Sequence, residues 1–278
     1  MTEAVKIVTF INLIFLILLL LSGSVSGIVG EVIRYAAFII PIFIGFYSSR
    51  ELQKKREAKA GIAEGPDTLL GFDFGRFVRL LPLVSPLVLL IFTVSFITSL
   101  ILALIGAGSD AVENTGIIRM LLVHALAPAF FEEALFRYIP MKLLAPYSKR
   151  WCVLYSALCF SLIHCSLFQM PYAFAAGLVF MSVDIAFGSV WPSVILHLIN
   201  NTASVVWMKY CSGMTASWIF IAVLLLLSLV SLVFIIKNRR EYKELFASAF
   251  DKGDGFTSSP APMALVVICG YIAIANLF

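Results

Sequence analysis

The sequence predicts an all-α fold, a polytopic transmembrane bundle of about eight helices around a central polar cavity. Three observations lead there. Of the 278 residues, 61% are hydrophobic and 13% charged, and mean hydropathy is +1.01. Soluble domains carry about 25% charged residues, so this composition belongs to an integral membrane protein. Apolar runs of about 20 residues, the length of a spanning helix, recur from one end of the chain to the other. Five ionisable residues inside those runs, Glu132, Glu133, Arg137, His164 and His197, fall together in one block, between positions 132 and 197.

The first run, "IVTFINLIFLILLLLSGSVSG", carries small residues after an apolar core as a signal peptide would, but its basic flank is a single Lys6. A run of this length also spans, so we read it as a retained first helix over 7–26. Its Gly23 and Gly27 form a GxxxG pair of the kind that packs membrane helices. Further helices are predicted over 32–48, 80–106, 118–139, 151–168, 172–187, 190–208 and 217–236. A ninth run, "MALVVICGYIAIANLF" (263–278), is short for a span and reads as a last or an interfacial helix.

The connections give an orientation. "SSRELQKKREAKAG", "KLLAPYSKR" and "KNRREYKE", after the second, fourth and eighth helices, are basic, whereas "GAGSDAVENTG" (106–116) carries Asp110 and Glu113 without Lys or Arg. By the positive-inside rule the basic connections are cytoplasmic and the acidic one lies outside. Eight spans with the N-terminus inside satisfy all four. Segment 49–79 is expected to be a linker with a solvated, charged start. The net charge of +4 therefore reports topology, and no nucleic-acid partner is expected. Five cysteines show no CxxC pattern, and four sit in or beside apolar runs as small hydrophobes.

Glu132, Glu133, Arg137, His164 and His197 lie on helices four, five and seven, while helices three and eight hold no ionisable residue. A charge at the bilayer centre costs roughly 2.5–3.5 kcal/mol on insertion scales, and such groups normally face a bundle interior or a wet cavity. Clustering on three helices therefore predicts one shared cavity. Glu133 and Arg137, at i and i+4, share a helix face and can pair. Glu132 sits about 100° around the helix and is left to face the cavity. His197 and Asn201 project from one stripe of helix seven, and Phe160 places a ring one turn from His164.

An unpaired carboxyl sheltered from water is a good general base, and a nearby imidazole can relay its proton. A His–Asn pair on a facing helix offers N–H donors to a developing oxyanion. Base, water and oxyanion donors together make an amide hydrolase without a covalent nucleophile. The sequence has no HExxH zinc helix and no GxSxG elbow. Asp184 is the one aspartate within a predicted helix, so an aspartyl dyad is also excluded.

The motifs Glu132-Glu133-Ala-Leu-Phe-Arg137, Phe160-Ser-Leu-Ile-His164 and His197-Leu-Ile-Asn-Asn201 resemble the EExxxR, FxxxH and HxxxN signatures of the membrane CAAX-protease and bacteriocin-processing (CPBP) family. That family includes the type II CAAX prenyl endopeptidases. The lead-in "GSVWPSVILHLINN" is similar as well. The resemblance covers about residues 118–208, a catalytic core within a single integral membrane domain over 1–278. It implies an intramembrane endopeptidase in which Glu132 activates water with help from His164, while His197 and Asn201 hold the oxyanion. Glu133, Arg137 and Phe160 would support them. The family's members include both metal-dependent and metal-free descriptions, and two histidines with a glutamate could ligate zinc. Asn201 is a poor zinc ligand and a good hydrogen-bond donor, so we expect no cofactor and keep zinc as the alternative.

The implied partners are a peptide or lipidated protein substrate and membrane lipids. The implied location is a multi-pass membrane protein, in the plasma membrane if prokaryotic. Two other classes compete: a non-catalytic scaffold or immunity protein that uses the cavity for binding, and a proton-coupled transporter. The transporter is disfavoured because the polar residues sit in one block rather than in two matching halves. Asn201 is preferred to Asn200 on spacing, His124 is expected at the outer helix end, and Asp184 at a solvated cytoplasmic end.

Overall fold

The computed structural model describes residues 2–61, 68–104, 116–166, 168–210, 214–247, 249–250, 266–269 and 272. Every regular element among them is helical, and the all-α bundle expected from composition is borne out. Most of the ninth run, Cys211 and the acidic connection up to Thr115 lie outside the described residues.

α1 (Thr2–Ser24) and α2 (Gly27–Ala60) pack along each other as a hairpin. Val5, Val8, Phe15 and Leu16 of α1 recur at helical spacing and are buried in the main core. Gly23 and Gly27 do not share a helix. Gly27 turns the chain with φ +74, a conformation open to glycine, so the GxxxG pair is a corner rather than a packing face.

α2 also corrects the expected linker, since residues 49–60 continue it as a helix. Glu, Gln, Lys, Arg and Ala are strong helix formers, and charge excludes this part only from the bilayer. Gly61, at φ +65, ends it with its N–H on Ala58 O at 3.3 Å.

α3 (Phe74–Leu104) packs on α10 (Met214–Lys237), joined by a Thr93 Oγ1–Ser228 Oγ hydrogen bond of 2.8 Å. α7 (Lys149–Leu162) packs on α8 (Met170–Phe187), where Gly177 allows a close approach. A Cβ there would meet Ala157 Cα at 2.7 Å. α9 (Trp191–Tyr210) follows after the left-handed Gly188. A short helix missed in the sequence, α11 (Arg239–Ala247), is anchored by Tyr242 Oη donating to Leu83 O at 2.7 Å.

Between α3 and α7 runs the helix that carries the glutamates. It is built end to end from α4 (Ile117–Leu121), a π turn (Leu122–Leu126), α5 (Ala127–Glu133), a second π turn (Ala134–Tyr138) and α6 (Ile139–Leu143). Each π turn precedes a proline, Pro128 and Pro140. Proline brings no N–H for the carbonyl four residues back and its ring collides with it, so the ladder widens there. Phe136 O, left without its helical donor, accepts from Ser156 Oγ of α7 instead.

Five described helices are long and apolar enough to cross a membrane, within α1, α2, α3, α8 and α10. The glutamate helix, α7 and α9 are not among them. Those three carry the polar residues of interest.

Candidate active site

Glu133 is fully buried and sits 3.2 Å (Oε2) from Arg137 Nε, which is buried too. The pair is an ion contact without hydrogen-bond alignment. The Arg137 guanidinium gains a second partner in the Phe160 ring, 4.2 Å away. Glu133 is also held by His197, whose Nδ1 donates to Oε1 at 2.6 Å. Its neighbour Glu132 behaves differently. With its side chain 18% exposed, it faces a cavity of about 430 Å³. The sequence-based division into one neutralised and one cavity-facing carboxyl matches this geometry.

The cavity is also lined by His164, His197 and Asn201, so all four residues implied as catalytic meet in one space. His197 Nε2 lies 3.9 Å from Glu132 Oε2. His164 donates through Nδ1 to Phe160 O at 2.8 Å, which leaves its Nε2 as the basic nitrogen. Phe160 packs edge-on against both imidazoles, with centroids 5.0 Å from His164 and 6.1 Å from His197.

His164 itself is not on a helix, as its motif predicted. α7 stops at Leu162, and His164 N bonds to Ser161 O in the turn that follows. Next to it Cys165 takes the left-handed φ of +46.

Three further residues bear on the site: His124 and Asp184 correct their expected placement, and Asn200 joins the lining beside the preferred Asn201. His124, expected at an outer helix end, lines the cavity. In an unbroken α-helix it would sit about 80° from Glu132, but the π turn absorbs one residue and brings the two within about 20°. The signal was Pro128, in mid-helix. Asn200 lines the cavity beside Asn201 and donates to its Oδ1 at 3.2 Å. Asp184, expected at a solvated end, is fully buried. Its Oδ1 accepts from Ser193 N at 3.0 Å, which fixes the start of α9 one turn before His197. Arg76 closes the same corner from α3 by donating to Ala186 O and Phe187 O.

Zinc requires ligands converging at about 2.0–2.2 Å from one point. Among the described residues no group of three or more His, Cys, Asp or Glu side chains gathers so. Glu132, His164 and His197 share the cavity without forming a ligand set.

Residues 114–203 match the family model described as type II CAAX prenyl endopeptidase Rce1-like. The match contains all three motifs, and the family resemblance they suggested is borne out. No curated protein and no solved structure matches the chain.

Proposed function

We propose that this protein is a multi-pass intramembrane endopeptidase that hydrolyses a peptide bond with a water activated by Glu132. The carrying observation is that Glu132, His164, His197 and Asn201 line one cavity while Glu133 is occupied by Arg137 and His197. Glu132 takes a proton from water as the water oxygen bonds to the scissile carbonyl carbon. Asn201 Nδ2–H, and His197 when protonated at Nε2, donate to the oxyanion that forms. His164 accepts and returns a proton through Nε2. The leaving amine takes a proton as the C–N bond breaks, and two peptide ends depart. No step needs a metal.

The substrate is a membrane-associated or lipidated peptide. Beside the cavity, an apolar pocket of about 410 Å³ lies among α3, α9 and α10, and Val88 and Asn200 line both spaces. An apolar chain on the substrate would lie there while its peptide bond reaches Glu132.

The test is cleavage of a quenched, prenylated CAAX-type peptide by the purified protein, with and without chelator. Cleavage is expected to persist in chelator and to fall about 10²–10⁴-fold in Glu132→Gln. A chelator-sensitive reaction would restore zinc. Peptide binding without cleavage, unchanged in Glu132→Gln, would make the protein a scaffold.

A further inference from the structure

A second cavity, of about 440 Å³, opens between α2 and the α6 end of the glutamate helix, away from the cavity just described. It sits where α2 passes from its apolar stretch to its charged one. On the apolar side Phe43 and Tyr47 are each 72% exposed, and Phe46 stacks on Tyr138 at 4.6 Å. On the charged side stand Arg50, Lys54 and Lys142. Lys142 Nζ is steadied by Gln53 Oε1 at 3.3 Å, and Lys54 contacts Glu51 at 3.7 Å. Glu57 also lines the groove, but Gln53 already donates to it at 2.8 Å. Three cations therefore line the groove with one carboxylate, the engaged Glu57, while Glu51 contacts Lys54 from outside its lining.

We propose that this groove binds the headgroup of an anionic glycerophospholipid. A phosphodiester would rest among Arg50, Lys54 and Lys142, with Arg50 able to donate two parallel hydrogen bonds. The glycerol and upper acyl chains would lie on Phe43 and Tyr47. Aromatic side chains seek this depth of a bilayer, and basic pockets beside membrane helices take acidic lipid headgroups. A free phosphate would leave the aromatic wall unused. A soluble protein partner fits poorly as well, because the same face of α2 continues into exposed Ile39 and Ile40, which belong against acyl chains.

Native mass spectrometry of the full-length protein in neutral detergent tests this, with phosphatidylglycerol and phosphatidylcholine of identical chains. Phosphatidylglycerol is expected to bind at lower concentration. The Arg50→Gln/Lys54→Gln variant, altered at exposed positions, is expected to lose that preference by roughly fivefold for each cation. Phe43→Ala/Tyr47→Ala is expected to weaken both lipids alike. Equal binding of the two lipids by the unaltered protein, or a preference that survives the double charge change, overturns the proposal. So does displacement of phosphatidylglycerol by inorganic phosphate, which would make this a plain phosphate site.

Discussion

His197 donates its Nδ1–H to Glu133 across 2.6 Å and so turns its Nε2 toward Glu132, 3.9 Å away. The second glutamate thus fixes the tautomer and the orientation of the imidazole. Glu133→Gln keeps an acceptor oxygen but removes the charge opposite the ring. It is expected to lower kcat about 10–100-fold with KM little changed, measured by steady-state cleavage. An equal rise in KM would place Glu133 in substrate binding instead.

Arg137 is a buried cation, and its stability contribution depends on Glu133. Arg137→Met alone leaves a buried carboxylate with His197 but without its cation, and roughly 3–5 kcal/mol of destabilisation is expected. Adding Glu133→Gln removes that charge, and the double variant is expected to recover much of the loss while staying slow. Thermal unfolding in detergent reads the first effect and peptide cleavage the second. A double variant no more stable than the single one would contradict the pairing.

The two asparagines separate by their hydrogen bond. Asn200 spends a donor on Asn201 Oδ1, and Asn201 retains its amide N–H groups for the cavity. Asn201→Ala is expected to cost about 10²–10³-fold in kcat. Asn200→Ala should stay within about tenfold, the scale of one ordinary hydrogen bond. The reverse order would move the oxyanion donor to Asn200.

Gly177 tests the packing behind the site. A side chain there meets the α7 backbone at Ala157. Gly177→Val is expected to destabilise by about 1–3 kcal/mol, and retention of the wild-type unfolding temperature would show that α7 and α8 do not approach so closely.

Much of this was legible in the sequence because hydropathy and i, i+4 spacing are direct readouts of membrane burial and helix faces. The helical bundle and the separation of Glu132 from Glu133 follow from those two rules, although only five of the eight expected spans are matched by described helices long and apolar enough to cross a membrane. What escaped has a common cause. The charged half of α2 looks like a linker in sequence because hydropathy reports where a helix meets lipid, not where it ends. Asp184 looks like a solvated helix end in sequence because its acceptor role depends on Ser193, which only the fold brings opposite. His164 left its helix, and His124 joined the cavity, through changes of backbone hydrogen-bond register that leave no trace in hydropathy. Only Pro128 and Pro140, in mid-helix, signalled the wide turns.

Those wide turns give the glutamate helix a slack of one residue at each end of α5. Shortening the chain by one position inside 122–126 would let an ordinary ladder close there and swing all that precedes it by about 100°. His124 would leave the cavity while Glu132 stayed put. The same cut inside 134–138 would instead rephase both carboxyls against Arg137. Phase along this rod sets which acid lines the cavity and which lies against Arg137.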